Sequence, residues 1–213
     1  MADIKRNTVI RMVAALFVFA AVFGLALQLL KVQEFLISGS IYYICLIAFL
    51  IYTVKGTEKS TLASLGVGFN NMPGKILLGF GICAGLSLFQ LVFVLFGENL
   101  NFQRSGWKDI IVYTFYYICF VGFAEELIFR GYLLKRLNEL LNSKIYAVLL
   151  SSTLFALWHY PVRYYWGQVI FAFFFGLVLS IIAVRAKSEI IIPLAIGHGL
   201  YNSLPLWVGY FIK

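Results

Sequence analysis

Charged side chains are scarce in this sequence, and their scarcity excludes a soluble protein. Only 12% of the 213 residues are charged, whereas 62% are hydrophobic, and the mean hydropathy is +0.91. A soluble domain needs more polar surface than this composition supplies. We therefore predict an all-α fold, a polytopic transmembrane bundle of about seven helices (six to eight). The chain has no linker, repeat or low-complexity segment, so we expect one membrane domain over residues 1–213.

Cysteine is also rare, and its placement argues against a disulfide framework. Cys45, Cys83 and Cys119 each lie within an apolar run, and their number is odd. No CxxC pair or zinc-knuckle spacing occurs. We interpret the three as small buried residues.

Basic residues outnumber acidic ones, and a membrane accounts for the excess. The formal net charge is +8, and Lys and Arg flank the apolar runs, as expected of loops beside an anionic bilayer. We predict the lipid bilayer, and no nucleic acid, as a partner. The longest polar stretch, Lys55 to Lys75, is predicted to be a surface loop with a short interfacial turn.

Seven apolar runs are candidates for membrane-crossing helices, which need about 20 residues. Pro193 and Pro205 predict a bend or a break in the last of them. The runs are Ile10–Leu30, Phe35–Val54, Ile76–Phe96, Ile110–Phe129, Ile145–Tyr160, Tyr165–Val184 and Ile190–Ile212.

The placement of Lys and Arg predicts the orientation of these runs. With the N-terminus inside, twelve of the 17 basic residues lie in inner loops, and the other five are Lys31, Arg104, Lys108, Arg163 and Lys213. The positive-inside rule therefore predicts a cytoplasmic N-terminus. The Phe-, Tyr-, Lys- and Asn-rich composition is typical of a bacterial protein. We therefore predict that the protein lies in the bacterial cell membrane.

A few strongly polar groups lie inside the apolar runs. An ionisable group at the centre of a membrane helix raises the free energy of insertion by about 2.5–3.5 kcal/mol, so each is a functional candidate. Both histidines of the chain are among them. Six such polar groups are candidates for a functional site: Glu125, Glu126, Arg130, His159, His198 and Asn202.

Helical rise places four of these groups at a similar depth. At 1.5 Å per residue, Glu125 lies roughly 18 Å and His159 roughly 22 Å from the inner ends of their helices. By the same rise, His198 and Asn202 lie roughly 15 Å and 21 Å along the last helix. We therefore expect the four side chains to converge in one layer.

The helical faces divide these groups into supporting and reacting ones. Glu126 and Arg130 are at i, i+4 and can form an ion pair, whereas Glu125 is turned about 100° away. His198 and Asn202 are also at i, i+4. A carboxylate beside a neutral histidine can activate a water, and a second histidine with an asparagine can hold an oxyanion. The alternative is a buried polar network that joins helices without chemistry.

Three short motifs of this chain resemble those of the CPBP family, which comprises CAAX proteases and bacteriocin-processing enzymes, also called Abi proteins. The family pattern is EExxxR, then FxxxH, then HxxxN or HxxxD. Here "EELIFRGYLL" begins at Glu125, "FALWH" ends at His159 and "HGLYN" begins at His198. The resemblance extends from about Asp109 to Ser203. It predicts a catalytic core at 109–213, in the last four spans, while 1–108 forms N-terminal spans without a motif.

The resemblance implies an intramembrane endopeptidase that hydrolyses a peptide bond in a membrane-associated peptide or protein. It implies that Glu125 and His159 activate the water and that His198 and Asn202 form the oxyanion site. The supporting residues would be Glu126, Arg130 and Phe155.

Two alternatives stay open from the sequence. One is a zinc enzyme in which Glu125, His159 and His198 are the ligands; because no HExxH is present, we favour a metal-free mechanism without a cofactor. The other is a non-catalytic immunity or regulatory protein that binds a partner. The oligomeric state is not predicted.

Overall fold

Long helices make up nearly all of the structure, which is a computed structural model describing residues 2–30, 35–95, 102, 105–186 and 189–212. No strand occurs in these ranges, so the all-α prediction is confirmed. The helices are α1 (Ala2–Leu30), α2 (Phe35–Ile51, continuing as a wider turn over Tyr52–Thr57), α3 (Met72–Leu95), α4 (Trp107–Leu141), α5 (Lys144–Arg163), α6 (Trp166–Arg185) and α7 (Ile191–Phe211).

Five of these helices are long and apolar enough to cross a membrane: α1, α2, α3, α4 and α6. Their exposed side chains include large hydrophobic ones such as Leu77 and Leu88, as expected of surfaces that face lipid. The two remaining helices, α5 and α7, carry the histidine motifs. The five long helices, together with the apolar composition, indicate an integral membrane protein.

Helix α4 changes its winding on both sides of the two glutamates. The segments Tyr117–Gly122 and Leu127–Leu133 are π-helical, and the single α-helical turn Phe123–Glu126 lies between them. A π turn bonds residue i to i+5, so it is wider than an α turn, and such turns are frequent at functional sites. The sequence pattern did not predict this winding.

The C-terminal end of α4 extends further than the sequence predicted. The sequence-based depth of Glu125, roughly 18 Å, assumes a helix that ends near Leu137, but the amphipathic segment stays helical to Leu141. Asn142 then adopts the left-handed conformation that commonly ends a helix. The Ser143 hydroxyl accepts a hydrogen bond from the backbone N–H of Tyr146 and starts α5.

The last helix, α7, is continuous despite its two prolines. Pro193 lies in the first turn, where a missing N–H removes no helical hydrogen bond. Pro205 lies inside the helix, which nevertheless runs to Phe211. The break that the prolines predicted is therefore absent.

Backbone contacts divide the chain into two compact units. The first, Met1–Gly68 with Leu127–Ile191, contains α1, α2, the second part of α4, α5 and α6; in it α5 packs against α6 and α1. The second, Phe69–Glu126 with Ile192–Lys213, contains α3, the first part of α4 and α7. The single membrane domain and its functional division at residue 108 stay predictions.

A buried ion cluster in the first unit joins the end of α2 to α4. Glu58 accepts hydrogen bonds from Arg136 Nη2 at 2.6 Å and Nε at 2.9 Å, from Tyr132 Oη at 2.9 Å and from Thr8 Oγ1 at 2.9 Å. Glu139 receives a further bond from Arg136 at the rim. The segment predicted to be a surface loop therefore contributes one buried carboxylate, because four donors from α1 and α4 replace its water.

Candidate active site

The first and third motifs meet through the imidazole of His198 in the second unit. His198 Nδ1 lies 2.8 Å from Glu126 Oε1, and Nε2 lies 3.8 Å from Glu125 Oε2. Glu125 and His198 are each 3% exposed, and Glu126 is fully buried. One imidazole thus lies between the two adjacent glutamates, a contact that the sequence pattern did not predict.

The two glutamates play different geometric parts around this ring. A carboxylate only accepts hydrogen bonds, so Nδ1 of His198 is the donor to Glu126, and this bond fixes the orientation of the ring. Nε2 is then the nitrogen that faces Glu125. A separation of 3.8 Å is longer than a direct hydrogen bond but lies within the range of an ion pair, should the ring be protonated. Glu126 therefore orients the histidine, while Glu125 lies beside the other ring nitrogen.

Asn202 follows His198 by one helical turn of α7 and is half-buried. Its neighbour Tyr201 donates a hydrogen bond to Gln90 Oε1 of α3. Gln90 had no recognisable pattern in the sequence, because its partner lies 111 positions away. This bond ties the part of α7 that carries the third motif to α3.

Glycines allow α4 and α7 to approach closely enough for these contacts. A Cβ atom on Gly199 would lie 2.5 Å from the Cα of Ile118 and 2.6 Å from the backbone oxygen of Tyr117. A Cβ atom on Gly122 would lie 2.5 Å from the backbone oxygen of Ala195. Both positions face backbone atoms, which cannot rotate away as a side chain can. The close approach therefore requires glycine at both sites.

We expect Gly199→Ala to destabilise the protein and to reduce its activity. Overpacking typically costs about 1–3 kcal/mol, and here the clash is with backbone, so α7 must move away from α4. Gly85→Ala in α3 is the matched control, because a Cβ atom there meets nothing within 4 Å. Thermal unfolding in detergent measures both variants. Equal melting temperatures for Gly199→Ala and Gly85→Ala would show that the close approach is not required.

The second motif fixes the orientation of His159 in the first unit. His159 Nδ1 lies 2.8 Å from the backbone oxygen of Phe155, one turn earlier in α5. A carbonyl only accepts, so Nδ1 is the donor and Nε2 carries the lone pair of the neutral ring. The ring packs edge-to-face against Phe155 and Trp158, with centroids 4.6 Å and 5.1 Å away. His159 is half-buried.

Arg130 is buried among groups of α5 and α6. Its Nη2 donates to the backbone oxygen of Gly176 at 3.1 Å, and its guanidinium lies 4.5 Å from the centroid of the Phe155 ring. A Cβ atom on Gly176 would come within 3.2 Å of Nη2. Gly176 is therefore a supporting residue that the sequence analysis missed, since no local pattern marks a glycine that faces an arginine on another helix.

The seven residues selected from the sequence fall into two sets. One set, Glu125, Glu126, His198 and Asn202, belongs to the second unit, and the other, Arg130, Phe155 and His159, belongs to the first. Convergence of His159 with Glu125 stays a prediction. The Glu126–Arg130 ion pair also stays a prediction, and the i, i+4 geometry behind it describes an α-helix, whereas residues 127–133 follow the wider π winding.

Comparison with known protein families identifies the region that holds these motifs. Residues 107–204 match the model of a family described as type II CAAX prenyl endopeptidase Rce1-like, and no curated protein or solved structure matches the chain. The match starts at the first residue of α4 and includes all three motifs. Residues 107–204 are therefore similar to the Rce1-like domain of the CAAX protease family, and this similarity supports an intramembrane protease of the CAAX type.

Proposed function

We propose that this protein is an intramembrane endopeptidase that uses a glutamate and histidines to hydrolyse a peptide bond in a membrane-associated peptide or protein. The observation that carries the proposal is the placement of His198, held by Glu126 and facing Glu125, within the Rce1-like domain. A buried polar network that only joins helices would need no more than a direct hydrogen bond from His198 to one carboxylate. Here the other nitrogen of the ring also faces a second carboxylate, Glu125, at 3.8 Å.

In the proposed reaction, Glu125 is the general base. Glu125 takes a proton from a water, whose oxygen attacks the scissile carbonyl carbon, and the proton then passes to the leaving nitrogen as the C–N bond breaks. His159 assists through Nε2, because Nδ1 donates to the carbonyl of Phe155. The pairing of His159 with Glu125 is supported by motif order and by the helical depth calculation.

The same proposal assigns the oxyanion to α7. The amide of Asn202 and Nε2 of His198 would donate to the oxygen that becomes negatively charged. Donation from His198 requires a proton on Nε2, and the Glu126 carboxylate at Nδ1 would balance the charge of that ring. Glu126 is thus a positioning residue rather than a second base.

The membrane setting narrows the substrate and the location. Five helices long and apolar enough to cross a membrane support a bilayer setting, so we propose a substrate that is itself membrane-associated. We further propose a bacterial cell membrane with the N-terminus in the cytoplasm, on the basis of the Lys and Arg distribution.

The proposal is tested by comparing membrane peptides from cells with the wild-type protein and with Glu125→Gln. The substitution keeps the size of the side chain and removes the base. We expect peptides with new termini only in the wild-type sample, and intact precursors in the variant. Identical peptides in both samples, with a biological effect that survives the substitution, would instead support a non-catalytic immunity or regulatory protein.

We propose a metal-free reaction and expect it to resist chelation. In the part of the chain that the structure describes, no group of three His, Cys, Asp or Glu side chains is placed to hold a metal ion. Purified active protein should contain no stoichiometric zinc by elemental analysis, and prolonged chelation should leave cleavage intact. One equivalent of zinc, with activity lost on chelation and restored by zinc, would replace this mechanism by one in which Glu125, His159 and His198 are ligands.

A further inference from the structure

We propose that Tyr42 of α2 is a positioning residue for His159, so that the N-terminal helices form part of the catalytic centre. The inference rests on the proposed function, because it assigns a purpose to the orientation of His159. Tyr42 lies outside the matched region 107–204, in spans where the sequence shows no motif. Its effect on His159 passes through Trp158, the residue before the histidine in α5.

A continuous stack of aromatic rings runs from α1 to His159 within the first unit. Phe23 of α1 stacks on Tyr42 with centroids 4.4 Å apart and an interplanar angle of 20°. Tyr42 stacks on Trp158 at 6.2 Å and 16°. Trp158 meets His159 edge-to-face at 5.1 Å and 84°. Tyr42 is 7% exposed and Trp158 is 4% exposed, so both central rings are enclosed.

The stack adds to the backbone hydrogen bond in confining the imidazole. The bond from Nδ1 to Phe155 fixes one point of the ring, whereas the terminal torsion of a histidine is broad. Phe155 and Trp158 limit that torsion from two sides. The side chain of Trp158 is in turn confined by Phe129 at 5.4 Å and by Tyr42. Of these two supports, only Phe129 belongs to the Rce1-like domain.

Loss of the Tyr42 ring should therefore shift His159 indirectly, through Trp158. A smaller side chain leaves a cavity beside Trp158, and neighbouring side chains relax into such a cavity only in part. The indole then gains freedom, and so does the imidazole that it limits. A misplacement of about 1 Å at a reacting group can reduce a rate by about 10²-fold.

The chain offers a direct measurement, because it contains only two histidines. Protein labelled with isotopes in histidine alone gives one set of ring signals for His159 and one for His198, assigned with the His159→Gln and His198→Gln variants. We expect Tyr42→Leu to shift and broaden the His159 signals and to leave those of His198 in place. Tyr42→Phe, which keeps the stacked ring, should restore the wild-type spectrum.

The matched control is Tyr52→Leu, the same change at an exposed tyrosine (68%) beyond the end of the α-helical part of α2. Neither histidine signal should move in this variant. If Tyr42→Leu does not accumulate, Tyr42→Met keeps most of the buried volume without the flat ring and gives the same readout. An unmoved His159 signal in Tyr42→Leu and Tyr42→Met would overturn the proposal, and so would equal shifts of both histidines.

The kinetic measurement uses a membrane peptide whose cleavage depends on Glu125. We expect Tyr42→Leu to lower kcat by about 10- to 100-fold with little change in KM, since the orientation of a reacting group is altered and substrate contacts are not. An unchanged kcat would contradict the inference. If no cleaved peptide is found, the proposed function fails, but the histidine spectra still decide whether Tyr42 positions His159.

Discussion

Glu125→Gln is expected to abolish cleavage while the protein remains folded. Glutamine has the size and shape of glutamate but cannot accept the proton of the attacking water. His159→Ala should be nearly inactive for a related reason, because the nitrogen that assists the base is lost. Asn202→Ala should retain measurable activity, since removal of one oxyanion donor typically costs about 10²–10³ in rate. The activities of the three variants are compared through the initial rates of peptide cleavage in detergent or vesicles.

Glu139→Gln is a suitable control for these variants. It also removes a carboxylate from α4, but Glu139 lies at the rim of the Glu58 cluster with 40% of its side chain exposed. Its activity should equal that of the wild type. Cleavage that persists in Glu125→Gln would defeat the glutamate mechanism and its zinc-dependent alternative together. An Asn202→Ala variant as inactive as Glu125→Gln would show that Asn202 does more than donate one hydrogen bond.

Arg136→Met is expected to destabilise the protein strongly, because it leaves Glu58 as a buried carboxylate without its cation. Glu58 would retain only the two hydroxyl donors of Thr8 and Tyr132. Removal of one partner from a buried ion pair typically costs about 3–5 kcal/mol. The loss of stability is measured by thermal or denaturant unfolding in detergent. Glu139→Gln again serves as the control, since an exposed ion pair contributes about 1 kcal/mol or less.

A double variant separates the charge from the packing. In Glu58→Gln with Arg136→Met, no buried charge is left unpaired, so the stability should recover much of what Arg136→Met alone loses. The two effects must then be strongly non-additive. Additive losses would mean that Arg136 acts through its packing on Tyr132 and not through Glu58. A wild-type melting temperature for Arg136→Met would show that the cluster contributes nothing.

The positions of the helices were largely predictable, whereas their winding was not. Five of the seven apolar runs correspond to helices whose ends lie within a few residues of those predicted, because hydropathy marks the part of a helix that faces lipid. The exceptions are α1, which begins at Ala2, eight residues before the predicted start at Ile10, and α4, whose amphipathic extension after Phe129 stays helical to Leu141. The π turns of α4 form where the helix packs around the glutamates, and no local pattern in "FAEELIFRGYLL" predicts them.

The candidate residues were predictable for a different reason. An ionisable group in an apolar run is conspicuous, so Glu125, His159 and His198 were found without a structure. The pairing of Glu126 with Arg130 stays a prediction. The structure adds a contact of Glu126 that the sequence did not predict, to His198, 72 positions along the chain.

Composition and helical periodicity are thus enough to specify an all-α membrane protein and the helices that carry its polar groups, because both are properties of single segments. Folding decides which of those groups touch. The His198–Glu126 bond, the backbone approach at Gly199 and the buried Glu58–Arg136 pair each join helices distant in sequence. The energies of these contacts depend on the removal of water from the side chains and on changes of a few tenths of an ångström in the distances between atoms. Such quantities arise only when several helices pack together, and no segment encodes them alone.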